Sequence, residues 1–191
     1  MIILPELPDL SLQLVPDFIA SEAAFRLFGA LRDELPWQHH IVKAFGRSIP
    51  APRLSSWHGD PECAYTYSNT RHEPQAWTPA LTELRERLVP EFGAFNSVLA
   101  NLYRSGADSM GWHSDDENVL GPEPVIASIS LGAALRFCLR HRKLAFRHEL
   151  LLTHGSLLIM SGRTQRFWQH ALPRTARVGQ PRINLTFRQV N

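Results

Sequence analysis

Near the C-terminus the segment PRINLTFRQVN alternates with a period of two, and this constrains the fold more than any other stretch. In an extended chain Ile183, Leu185 and Phe187 share one face, and Arg182, Asn184, Thr186 and Arg188 share the other. The apolar face requires a core. The polar face suits either a solvated edge strand or the wall of a pocket. In the second case two arginines turned inward are costly unless neutralised, which implies an anionic partner, and a ligand with two carboxylates would satisfy both. Asn101 and Tyr103, two apart in SVLANLYRSG, would share a face and add donors for an anion.

The stretch NLYRSGADSMGWHSDDE, residues 101–117, contains His113 and Asp115. Residues i and i+2 of an extended chain point the same way roughly 7 Å apart, so an imidazole and a carboxylate at this spacing can close on one metal ion. Two histidines and one carboxylate on one side of iron(II) leave the other side open for substrate and oxygen. A third ligand is therefore needed from elsewhere, and His170 in RFWQHALP is the candidate. Alone, His-x-Asp is a weak pattern, compatible with surface chemistry or an ordinary core histidine.

In their order and spacing, NLYRSGADSMGWHSDDE, His170 and RINLTFR resemble the AlkB family of iron(II) and 2-oxoglutarate-dependent dioxygenases, which oxidatively remove alkyl groups from nucleic-acid bases. The similarity runs from about Phe45 to the end. It implies iron(II) on His113, Asp115 and His170, with 2-oxoglutarate completing the site beside His113. Arg182, Asn101 and Tyr103 would take the distal carboxylate, and Arg188, with Asn184 or Thr186, the end next to the metal. The implied reaction is oxidative demethylation of DNA bases of the 1-methyladenine or 3-methylcytosine type, releasing formaldehyde, succinate and CO2. A dioxygenase of the same fold acting on RNA or on a protein side chain is the alternative.

By the same resemblance, a hairpin carrying Phe45, Gly46 and Arg47 probes the base stack, with Phe45 as the wedge that holds a nucleotide extruded. Arg53 would contact a phosphate. Tyr65, Thr66 and Tyr67, in AYTY, would form a wall of the base pocket, where ring stacking contributes about 1–3 kcal/mol per base. Asp116 would meet the exocyclic amino group of a cationic lesion. Glu117 would either join it or brace Arg53 or another basic residue.

With 191 residues and 44% hydrophobic content, the chain suits one domain with a sizeable core. The net charge of +2 conceals an asymmetry: residues 1–123 hold 9 Lys/Arg against 17 Asp/Glu, residues 124–191 hold 11 against 1, giving −8 and +10. A basic surface from the second part suits a polyanion, so the expected partner is alkylated DNA or RNA, met by a monomer. Two cysteines, Cys63 and Cys138, make neither a disulfide framework nor a metal knuckle, and free thiols suit a reducing compartment. MIILPELPDLSLQLVPDF lacks the basic start and unbroken apolar run of a secretory signal, and no stretch is long enough to span a bilayer. An intracellular, non-membrane protein is expected, cytoplasmic and nucleoid-associated if the cell is bacterial.

Along the chain, residues 11–15 read as a strand and residues 17–35 as a helix, on the recurrence of Phe18, Ala23, Phe25, Leu27, Phe28, Leu31 and Leu35. Residues 37–45 and 48–54 read as a hairpin turning at Gly46. A second helix spans 78–89, with Thr78 as N-cap and Pro79 in the first turn. Beyond Pro124 come short strands without a helix among them, and Arg140, His141, Arg142 and Lys143 sit at a turn that is either solvated or phosphate-contacting. His154, His39, His40, His58, His72, His141 and His148 carry structural readings. Short strands with a pocket between them suit an α+β, mainly β fold: a double-stranded β-helix (jelly-roll) core over 96–191, backed by an N-terminal extension, 1–95, with helices and a nucleotide-recognition lid.

Overall fold

The computed structural model describes residues 4, 6–44, 47–67 and 70–191. In chain order it contains β1 (Ser11–Val15), α1 (Ser21–Glu34), β2 (Gln38–Ala44), β3 (Arg47–Gly59), β4 (Tyr65–Tyr67), β5 (Thr70–His72), α2 (Pro79–Phe92), β6 (Ser97–Tyr103), β7 (Met110–His113), β8 (Ile126–Gly132), β9 (Leu135–His141), β10 (Arg147–Leu152), β11 (Ser156–Ser161), α3 (Thr164–Phe167), β12 (Trp168–Leu172) and β13 (Arg182–Arg188).

These strands form a seven-stranded sheet, β1-β11-β8-β13-β6-β3-β2, and a four-stranded sheet, β10-β9-β12-β7, with β4 and β5 as a separate pair. All named pairings are antiparallel. From β6 onward the chain moves between the two larger sheets, so both contribute to the space between them.

β13 is a central strand of the large sheet, hydrogen-bonded to β6 on one side and β8 on the other. The edge-strand reading of RINLTFR is thereby excluded. Ile183, Leu185 and Phe187 are fully buried in a core that also takes Leu31 of α1 and Leu81, Leu84 and Leu88 of α2. Burying each such side chain contributes about 1.5–3 kcal/mol, which is what holds the helices against the sheet. A second core, with Leu139, Leu152, Leu158, Met160 and Trp168, lies on the sheet's opposite side.

Gly132 ends β8 opposite Arg182 with φ +90, and a Cβ there would lie 2.5 Å from the carbonyl oxygen of Pro181. Only glycine allows the backbones to approach so closely where Arg182 enters the sheet.

Several sequence expectations shift. The first helix begins at Ser21 rather than Asp17, because residues 16–19 form turns and bends. Phe25, placed on its apolar stripe, is 63% exposed and lies against the His154 ring at 4.2 Å. The second helix runs on to Phe92, with Pro90 inside it. A four-residue helix, α3, interrupts the strands where none was expected. Arg140 and His141 belong to β9 rather than to a turn, and His141 is buried. Phe45 and Gly46, the expected tip of the β2–β3 hairpin, lie outside the described residues. Cys63 and Cys138 are free and buried. No described helix is long and apolar enough to cross a membrane.

Candidate active site

Between the two sheets lies a cavity. Its large-sheet wall carries Asn101 and Tyr103 of β6, Ser128 of β8, Met160 of β11, and Arg182, Asn184, Thr186 and Arg188 of β13. The opposite wall carries Met110, His113, Phe137, Leu152, His170, Ala171 and Leu172. The alternation of β6 and β13 thus sends one set of side chains to the helix-backed core and the other to this space.

His113, Asp115 and His170 converge here, each offering a ligand atom within 4.8 Å of the others. Strand pairing explains why residues 57 apart meet: His170 on β12 sits directly opposite His113 on β7, so both rings leave the sheet on one face, 4.2 Å apart by centroid. His113 Nδ1 lies 2.8 Å from the Gly111 carbonyl oxygen and must donate to it, which leaves Nε2 as the free lone pair. The backbone N–H of Asp115 donates to Gln165 Oε1 at 2.9 Å, and the Ser114 hydroxyl donates to the Trp168 carbonyl at 2.7 Å. These bonds tie the loop after β7 to α3 and β12.

Burial pushes the His170 imidazole down to about 3, against the opposing pull of Asp115 and with help from His113 and Arg188. It is neutral, as a metal-ligating imidazole must be. For Asp115 burial works toward protonation, but the Arg188 guanidinium and the two imidazoles prevail and hold the carboxyl below its usual range. Arg188 Nη2 donates to Asp115 Oδ1 at 2.5 Å, and Asp115 Oδ2 lies 3.8 Å from His170 Nε2. Among the described residues this is the only such group of His, Cys, Asp and Glu that could hold a metal ion.

At the other end of β13, Arg182 is 1% exposed. One nitrogen, Nη2, donates to Ser130 Oγ at 2.9 Å, while Nε and Nη1 are buried and make no hydrogen bond. Burial lowers this guanidinium to about 10, with Tyr103 opposing, so it is still charged at neutral pH. Burial likewise raises the Tyr103 hydroxyl. A buried cation with two unused donors facing a cavity is unstable unless an anion completes it. That is the fit a carboxylate of 2-oxoglutarate requires, and the His-Asp-His group meets the requirement for iron(II).

Other expected residues are placed differently. Asn184 Nδ2 donates to Ser128 Oγ at 2.8 Å and to the Ile129 carbonyl at 3.0 Å, while Thr186 Oγ1 donates to Asn184 Oδ1 at 3.1 Å. Both line the cavity, but their donors are engaged within its wall. Arg53, expected at a phosphate, instead donates from Nε to Asn101 Oδ1 at 2.8 Å. Asp116 is ion-paired to Arg142 at 2.5 Å, and the same Arg142 nitrogen reaches Ser114 Oγ at 2.7 Å. Glu117 faces a second, wider cavity that also reaches His40, Ser55, Cys63 and Arg188. No ion pair joins Glu117 to Arg53 among the described residues. Gly46 and Phe45 lie outside the description, and for Arg47, Tyr65, Thr66 and Tyr67 only the strand positions are described.

Sequence reasoning missed Ser130, Gln165, the pairing of Arg142 with Asp116, and the apolar lining Met110, Phe137, Leu152 and Met160. Period two in IASISLG could have flagged Ser128 and Ser130, since they alternate with Ala127, Ile129 and Leu131. Gln165 sits in the unforeseen helix and carries no local signal.

The model of the 2OG-Fe(II) oxygenase superfamily matches residues 11–188. The chain belongs to this superfamily. Within it, the AlkB resemblance read from the motifs holds. The chain is 40% identical over 188 residues to the alpha-ketoglutarate-dependent dioxygenase alkB homolog 3 of Mus musculus, covering 93% of this chain and 65% of that protein. It is 40% identical over 158 residues to the DNA oxidative demethylase ALKBH2 of Mus musculus, covering 78% of this chain and 66% of that one. It therefore spans less than two thirds of the length of these curated relatives. Among solved structures, OsALKBH1 superposes with a TM-score of 0.61 at 18% identity, over 93% of this chain and 96% of that one. A 2OG-Fe(II) oxygenase family oxidoreductase from Burkholderia pseudomallei gives 0.62 at 13% identity, over 93% and 84%. At such identities these structures speak for the fold, a mainly β, antiparallel one.

Proposed function

We propose that this protein oxidatively demethylates alkylated DNA bases of the 1-methyladenine or 3-methylcytosine type, using iron(II), 2-oxoglutarate and O2 and releasing formaldehyde, succinate and CO2. The observation that carries the dioxygenase part is the buried Arg182, charged and with two donors unused, in the same cavity as His113, Asp115 and His170. The name DNA oxidative demethylase, carried by similar proteins, supports the choice of substrate.

His113, Asp115 and His170 would hold the metal, and Arg182 with Asn101 and Tyr103 would hold the distal carboxylate. Bound iron(II) and 2-oxoglutarate supply, with O2, the power to hydroxylate a methyl C–H bond. This chain's residues supply orientation and charge. Arg188 keeps Asp115 ionised and aimed. Phe137, Leu152, Met110 and Met160 keep the cavity wall apolar, which limits water. The carboxylate of Asp116, shared with Arg142, and that of Glu117 on the wider cavity suit a lesion that carries positive charge. A base methylated on its pairing edge pairs poorly and is less costly to extrude. Its hydroxymethyl adduct then breaks at the nitrogen–carbon bond to give formaldehyde and the repaired base.

We also read the two facing sheets as a double-stranded β-helix occupying 96–191, with 1–95 as the extension that carries helices and the nucleotide-recognition lid. The passage of β6 to β13 between the sheets supports this.

The experiment is anaerobic mixing with iron(II), 2-oxoglutarate and a 1-methyladenine oligomer, followed by air and assay of formaldehyde. DNA and RNA oligomers of one sequence run as parallel arms. Formaldehyde from the DNA arm, dependent on 2-oxoglutarate, is the expected result. No product from any arm would reject the reading, and product from RNA alone would transfer it to RNA.

A further inference from the structure

Arg53 was expected at a phosphate, yet its Nε points at Asn101, which is 1% exposed and lines the metal-site cavity. An arginine nitrogen can only donate, so the Asn101 atom it meets must be the amide oxygen. The amide NH2 is thereby the group that Asn101 offers to the cavity, and among the described residues it makes no hydrogen bond. Without Arg53 the amide could turn over, presenting an acceptor oxygen to an anion instead of a donor.

The placement of β3 makes this contact possible: Ser55 pairs with Asn101 and Leu54 with Leu102, so Arg53 comes alongside the end of β6 that carries Asn101 and Tyr103. The Arg53 charge is near enough to Tyr103 to oppose the rise in its hydroxyl pKa, and near enough to His40 to help burial depress that imidazole.

We propose that Arg53 is a positioning residue for 2-oxoglutarate: by fixing the Asn101 amide with its NH2 toward the cavity, it sets the donor that joins Arg182 in holding the cosubstrate. It touches neither metal nor reacting atoms and acts through Asn101. The inference rests on the cosubstrate cavity alone and does not depend on which base or polymer is demethylated.

The test is calorimetric titration of 2-oxoglutarate into protein loaded with Mn(II), under nitrogen, so binding is read without turnover. Arg53→Gln is expected to weaken 2-oxoglutarate about tenfold while leaving Mn(II) affinity unchanged. In an Asn101→Ala background the same substitution should cost less than twofold, because the atom it orients is gone. Arg53→Lys, which keeps a charged donor, should recover part of the loss. A 2-oxoglutarate affinity unaffected by Arg53→Gln, or a loss as large with Asn101→Ala as without it, would overturn the proposal. If instead the wild-type protein takes up Mn(II) but no 2-oxoglutarate, the cavity assignment itself falls. Should Arg53→Gln fail to fold, the Arg53→Lys titration, with and without Asn101→Ala, decides by the same criterion.

Discussion

Arg182 and Arg188 sit six residues apart on one strand, face the same cavity, and are in opposite circumstances. Arg182, at the deep end, is fully buried with two nitrogens unused. Arg188, toward the mouth, is ion-paired through Nη2 to Asp115, with its Nε buried and unpartnered among the described residues. Farther out, Arg142 and Asp116 pair at 37% and 48% side-chain exposure, where water screens them. The deep end is thus built for a group the protein does not itself contain, and the mouth is already charge-balanced. A buried cation without a carboxylate beside it marks a ligand; one paired to a carboxylate marks an architecture that holds another residue in place.

The most severe way to probe the mouth is Asp115→Ala. Outer-shell partners of a metal typically cost about 10–100-fold when lost, so loss of a ligand should cost at least about a hundredfold in formaldehyde release and in metal uptake. Retained turnover would end the assignment of this group. Next come the two arginines. Arg182→Met should weaken 2-oxoglutarate by about a hundredfold or more, while stabilising the ligand-free protein by about 1–3 kcal/mol in urea unfolding, since an uncompensated buried charge is removed. Arg188→Met should act the other way on the ligand-free protein, destabilising it by about 3 kcal/mol because Asp115 is left buried without its cation. If the two substitutions shift stability in the same direction, the contrast between the ends is wrong.

A smaller effect is expected from pH. Unfolded His170 takes up a proton below about 6.5, whereas the folded one stays neutral down to about 3. Between those values the unfolded state binds more protons, so the metal-free protein loses stability as pH falls. From pH 6.5 to 5 this amounts to about 2 kcal/mol. Urea midpoints at pH 7 and 5 should differ less in His170→Phe by about that amount, and an unchanged difference would show that His170 is not held neutral by burial. Least of all, Arg142→Ala should leave stability within about 0.5 kcal/mol, since its partner is half-exposed. Its effect should appear instead as a raised KM for the methylated oligomer, through Asp116, with the 2-oxoglutarate KM unmoved.

Much of the site was legible in advance because it depends on local periodicity. The two faces of RINLTFR and the shared face of Asn101 and Tyr103 follow from the pleat. His-x-Asp places two ligands together for the same reason. What the pattern could not supply was pairing between distant strands. Whether β13 lay at an edge was undecided until β6 and β8 flanked it. The engagement of Asn184 and Thr186 with β8 and each other, and the approach of Arg53 to Asn101, depend on neighbours across the sheet. The misplaced helix start and the outward Phe25 show the weakness of apolar recurrence near a helix end, where turns compete with the first helical residues.

By itself the sequence determined which side chains share a face, which residue types could bind iron and an anion, and to which family such a combination belongs, because these depend on backbone geometry and on chemistry carried within a few residues. Only the tertiary structure decided that His170 stands opposite His113, that Arg182 has no counter-charge among the described residues, and that Arg53 donates to Asn101. The reason is physical: strand register and desolvation arise from contacts between segments tens of residues apart, and no local pattern encodes which segment a given strand will meet.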